Sequence, residues 1–143
     1  MLVRMLYVSR AAEGITTAMV DSILAQSRKN NPAAGITGLL CHSENVFMQV
    51  LEGGRAAVNA AYARIVADAR HTDVQLLHYE EIAERSFANW TMGKANLERV
   101  NLSVLLKYSE KAELDPYAVS GKVSMALLQE LMDTASIASC GNS

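Results

Sequence analysis

The run from Val46 to Glu52, VFMQVLE, is apolar at almost every position. Side chains of a strand alternate between its two faces, so a strand written this way needs cover on both of them. One glutamine, Gln49, interrupts it, and a buried amide is costly unless both of its ends find partners. The chain must therefore build a sheet enclosed between two layers, with a polar group near its middle.

The rest of the sequence supplies the other layers. Leu2 to Ser9 reads as a strand and Arg10 to Gly14 as a loop, with Thr16 or Thr17 capping a helix that carries Met19, Val20, Ile23 and Leu24. That helix is expected to stop at Asn30-Asn31-Pro32, because proline disfavours helical geometry in the residue before it. Ile36 to His42 and the Val46 to Glu52 strand flank Ser43-Glu44-Asn45, a hairpin pattern. Gly53-Gly54 opens a second helix, with Val58, Ala61, Tyr62, Ile65 and Ala69 at helical spacing, ending near Asp68 to His71. Val74 to Ile82 and Ala88 to Ala95 read as strands, and Val104 to Tyr108 and Val119 to Ile137 as helices around Asp115-Pro116. This order predicts an α+β fold, a ferredoxin-like sandwich: a five-stranded mixed sheet with two helices on one face and a C-terminal helical extension. The boundary is expected at residues 95 and 96, with 96–143 packing on the second sheet face. A partner subunit is the other candidate for that cover.

With 143 residues, half of them apolar and a fifth charged, the chain fits one domain with a real core. A net charge of -2 with scattered Lys and Arg leaves no basic stripe for nucleic acid. No apolar run approaches the ~20 residues that span a bilayer, and the N-terminus lacks a signal-peptide pattern, so no membrane contact and a cytoplasmic location are expected. Cys41 and Cys140 sit in unlike surroundings and read as free thiols. Cys41, His42, His71 and His78 lack zinc spacing, so no metal is expected. Gly53-Gly54 lacks the lysine of a phosphate loop.

Two helix faces stand out. Ile23, Ser27, Asn30 and Asn31 share one face of the first helix, and Ala61, Ile65 and Asp68 one face of the second, with Arg64 beside Asp68. Together they form a cleft with flat aliphatic walls and a polar end, suited to a planar heterocycle with hydrogen-bonding edges. Each element also has an ordinary structural reading: a helix stop, core isoleucines, a solvated ion pair. Tyr7 shares a face with Val3 and Met5, and Gln49 with Phe47 and Leu51; the crossover rule can set the two strands side by side. Tyr7 and Gln49 then either satisfy each other in the core or meet a ligand as well.

Tyr7, "NNPAAGITGLL" from Asn30, "FMQVLEGG" from Phe47, "DARHTDV" from Asp68 and "FANWTMG" from Phe87 resemble, in order and spacing, the BLUF domain. The resemblance covers about the first 95 residues, taken as a flavin-binding domain 1–95. Leu105 to Ser109, LLKYS, is similar to the C-terminal part of short, stand-alone BLUF proteins of the PixD type. The resemblance implies a blue-light photoreceptor without substrate turnover that holds non-covalent FAD between the two helices. Ile23 and Ile65 then flank the ring, Asn30 and Asn31 bind its pyrimidine edge, and Ser27, Arg64, Asp68, Arg70 and His71 belong to its surroundings. His71 is equally a candidate helix C-terminal cap. Tyr7 and Gln49 become the photoactive pair, and Trp90 and Met92, two apart on the expected fifth strand, the relay to a downstream signalling protein. A homo-oligomer, dimer or larger ring, is implied too. The rival readings are a ligand-free ferredoxin-like dimerisation module and a small phosphatase using Arg10 and Gly14 after the first strand.

Overall fold

Strand β1 (Leu2–Arg10) lies inside the sheet, hydrogen-bonded to a strand on each side, and leads into helix α1 (Thr17–Ala34). The hairpin β2 (Thr37–His42) and β3 (Val46–Gly54) follows, then α2 (Arg55–Ala67), β4 (Thr72–Ile82) and β5 (Gly93–Asn96), a 3-10 turn at Leu97–Arg99, α3 (Leu102–Tyr108) and α4 (Gly121–Asp133). This is a computed structural model, and it describes residues 1–133 apart from Ala12, Trp90 and Leu114. The sheet order is β4-β1-β3-β2-β5, antiparallel except for the parallel β2–β5 pair. It is the ferredoxin-like arrangement, mixed and five-stranded, that the alternation of elements predicts.

The doubly apolar β3 is covered on both faces. On one side Val3, Met5, Leu40, Phe47 and Leu51 pack against Val20, Ile23 and Leu24 of α1 and Val58 and Ala61 of α2. On the other, Leu6, Leu39, Cys41, Met48 and Val50 pack against Leu105 of α3 and Leu127, Leu128 and Leu131 of α4. Each such side chain taken from water contributes roughly 1.5–3 kcal/mol. Cys41 is a free, buried thiol whose pKa burial pushes up, so it stays protonated. Among the described residues no helix is long and apolar enough to cross a membrane.

The helical stop expected at Asn30-Asn31-Pro32 is not there. α1 runs through Pro32 and ends at Gly35, whose φ of 70° takes the left-handed conformation that glycine adopts without strain. Ile36 N–H donates to Asn31 O at 2.9 Å and Gly35 N–H to Pro32 O at 3.2 Å, which closes the last turn despite the proline. This extra turn keeps Asn31 helical and facing inward. Ala69 is not on the core stripe of α2: the helix ends at Ala67, and Ala69 is exposed.

The strand expected over Ala88–Ala95 shrinks to Gly93–Asn96. Residues before it give their backbone groups elsewhere: Ser86 and Phe87 N–H donate to the Glu52 carboxylate, and the Phe87 ring is buried in the α3/α4 core. Of the expected final helix, residues 121–133 are helical and 134–137 lie outside the described residues.

Candidate functional site

Strand register sets Tyr7 directly opposite Gln49, and both point to the α1/α2 face, 1% and 3% exposed. The Tyr7 hydroxyl donates to Gln49 Oε1 at 2.5 Å. At its other end Gln49 Nε2 donates to Met92 Sδ at 3.3 Å. A thioether is a weak acceptor and takes one of the two amide hydrogens, so the nitrogen end stays short of partners. Burial, then the nearby Asp68 charge, pushes the Tyr7 phenol well above its usual range, so it stands as a protonated donor.

Tyr7, Gln49 and Leu51 floor a cleft between the helices. Ile23, Gln26, Ser27, Asn30 and Asn31 line it from α1, and Ala61, Arg64 and Ile65 from α2. Asp68, Arg70 and His71 close one end. Its volume is about 120 Å³, and the cleft opens to solvent. Asn31 is buried, yet among the described residues its side-chain amide has no hydrogen-bond partner.

The end of the cleft is tied together by Arg70. Its guanidinium donates to Asp68 at 2.6 Å, to Gln26 Oε1 at 3.0 Å and to Ser22 Oγ at 3.3 Å. The hydrogen bond from Arg70 holds the Asp68 carboxyl below the usual carboxylate range, against the opposing pull of burial. The pair expected between Arg64 and Asp68 does not form. Asp68 is the C-cap with extended backbone, ψ 121°, so its side chain has left the helical face and meets Arg70; Arg64 lines the cleft but is exposed. His71 is buried, with Nδ1 2.7 Å from Ser9 Oγ and its ring against Phe47 and Tyr7. Burial lowers its pKa, more than the Asp68 charge raises it, so the imidazole is neutral at neutral pH.

The structure thus brings Tyr7, Ile23, Ser27, Asn30, Asn31, Gln49, Arg64, Ile65, Asp68, Arg70 and His71 to one cleft, with Met92 against Gln49. Trp90 lies outside the described residues. Sequence reasoning missed Gln26 and Ser22, the Arg70 partners on α1. It placed Tyr62 only in the helical periodicity of α2 and gave it no part in the site, whereas its ring centroid stands 5.9 Å from that of Tyr7. Gln26 sits three residues after Ile23, on the helical face already singled out, and was findable by that spacing. Among the described residues no group of His, Cys, Asp and Glu could hold a metal ion.

The donor set suits a flavin. Aliphatic walls from Ile23 and Ile65 match a flat ring, and the unpartnered Asn31 amide with the spare Gln49 hydrogen match its hydrogen-bonding edge.

Residues 2–93 match the family described as sensors of blue-light using FAD, BLUF. A photoactivated adenylate cyclase subunit beta from Euglena gracilis is 35% identical over 98 residues, 68% of this chain. The match takes up only 11% of that protein's length. Among solved structures, the photo-activated state of BlsA is similar with a TM-score of 0.80 and 29% identity, over 92% of this chain and 95% of that one. The dark state of BlrB, a BLUF protein, gives a TM-score of 0.77 and 28% identity, over 94% and 96%.

Proposed function

This chain belongs to the BLUF family of blue-light sensors using FAD, and from that premise we propose that Tyr7 and Gln49 carry its light response on an FAD held in the α1/α2 cleft. The observation that carries the reading is the 2.5 Å hydrogen bond between them on the cleft floor. Ile23 and Ile65 flank the ring, and Asn30 and Asn31 meet its pyrimidine edge. Ser27, Arg64, Asp68, Arg70 and His71 complete the surroundings, Arg70 by bracing α1 against the end of α2.

Excited by blue light, a bound flavin supplies a strong oxidant. Tyr7 contributes an electron and a proton and recovers both, its proton moving along the existing bond to Gln49 Oε1. Gln49 then rotates or tautomerises. An amide has a donor at one end and an acceptor at the other, so either change exchanges which groups it bonds. Met92 loses or re-forms its contact with Nε2 in the same event, and with Trp90 relays the change to a partner protein. Assembly as a homo-oligomer, dimer or ring, belongs to the same proposal.

The purified protein is expected to be yellow, with a small red shift under blue light that reverses in darkness. A preparation that stays colourless after refolding with excess FAD, or whose spectrum ignores light, defeats this reading. Asn31→Ala should weaken FAD binding about tenfold, since a lost buried hydrogen bond costs ~1–3 kcal/mol. Equilibrium dilution monitored by flavin fluorescence checks it, and unchanged affinity would take Asn31 off the ring edge.

A further inference from the structure

Three residues along β3 from Gln49, on the opposite face of the sheet, Glu52 is fully buried. Its same-face neighbours on that strand, Met48 and Val50, are apolar core residues, so a carboxylate there calls for a specific explanation. Four donors converge on it. Phe87 N–H reaches Oε1 at 2.6 Å and Ser86 N–H reaches Oε2 at 3.0 Å. Arg4 meets Oε2 through Nε at 2.8 Å and Nη2 at 2.7 Å. Arg4 also grips Glu80 at 2.6 Å and Ser86 Oγ at 2.7 Å, and Arg85 donates to Thr37 Oγ1 and to the Glu52 carbonyl.

These bonds fix the start of the irregular segment that leads into β5. Its far end is fixed by the pairing of Gly93 with Leu39. Met92 lies between the two anchors, five residues beyond Phe87, and its sulfur is the partner of Gln49 Nε2. A tether this short spans under ~18 Å even fully extended, so a shift of its anchor reaches Met92. A methionine contact is also soft, made by an unbranched side chain with several low-energy rotamers.

We propose that Glu52 is a positioning residue for the light response: by holding the backbone of Ser86 and Phe87 it sets where the Met92 sulfur stands, and so which arrangement of the Gln49 amide is favoured. The carboxylate is needed because both oxygens must accept; an amide accepts at one end only. This rests on the Tyr7–Gln49 reading above.

The test compares FAD-loaded wild type, Glu52→Gln, Met92→Leu and the double variant by the rate at which the red-shifted form returns in darkness. Each single variant is expected to change that rate by about tenfold, and the double variant by no more than the larger single, because coupled neighbours are not additive. Glu80→Gln perturbs the same ion network without touching the segment backbone, and should return within about twofold of wild type. A purely structural role for Glu52 would move melting temperature in both Glu variants and return rate in neither. If Glu52→Gln does not fold, Glu52→Asp keeps the charge for Arg4 but is too short to hold both N–H groups, and the same rate shift is expected. A wild-type rate in the folded Glu52 variant, or a double variant whose effects multiply, overturns the inference. If wild type shows no red shift at all, it is the Tyr7–Gln49 reading that has failed.

Discussion

Tyr7→Phe is expected to leave the protein yellow and blind. The ring stays: it is buried on the cleft floor against Tyr62 and His71, with centroids 5.9 Å and 6.2 Å away, and a phenylalanine fills the same space. What goes is, among the described residues, the only hydroxyl bonded to Gln49 Oε1, and with it the path for a proton. The light-induced red shift should fall to baseline while FAD occupancy changes little. Leaving the Gln49 carbonyl short of a donor costs ~1–3 kcal/mol, which a domain of this size withstands. Tyr62 is a second phenol near the cleft, but it has no hydrogen bond to Gln49, so it should not rescue the response. Light-minus-dark difference spectra decide the matter, and a normal photocycle in Tyr7→Phe would show that the proton does not travel by this bond.

Gly38→Ala is expected to be the most damaging small substitution in the sheet. Gly38 lies on β2 opposite Leu51, and a Cβ there would overlap the Val50 carbonyl oxygen. Backbone cannot yield as a flexible side chain does, so β2 would have to part from β3 beneath the cleft. Overpacking of this kind costs on the order of 3 kcal/mol or more. For a chain of this length that lowers Tm by roughly 10 °C. Thermal unfolding followed by circular dichroism would show it; a loss of no more than a degree or two would mean the strands separate there at little cost.

Much of this site was legible in the sequence because strands alternate with a strict period of two. Tyr7 and Gln49 could be assigned to one face from their own neighbours, and the apolar run around Gln49 demanded the two covering layers that α1/α2 and α3/α4 supply. What the sequence hid depends on contacts between distant residues. Pro32 reads as a stop, but the left-handed Gly35 and the bonds back to Asn31 and Pro32 carry the helix past it. Asp68 was matched to Arg64 by helical spacing, a rule that lapses once the residue leaves the helix and Arg70 comes within 2.6 Å. The segment before β5 looks extended locally, and no local pattern reveals that its entry at Ser86 and Phe87 is tied to the buried Glu52, more than thirty residues upstream.

One sheet serves as the floor of the cleft and as the wall against which α3 and α4 rest. α3 carries Leu102 and Leu106, 61% and 54% exposed, on its outer side. The two layers are therefore neighbours through a single thickness of backbone, and on the reading proposed above a turn of the Gln49 amide on one face would bias the packing of the other. Coupling of this kind is reciprocal: a molecule that binds more tightly after the amide has turned must, by the same free energy, make the turned amide more stable. The colour of the chromophore side can then act as a gauge for the helical side, reporting a visitor on α3 or α4 without any label placed there.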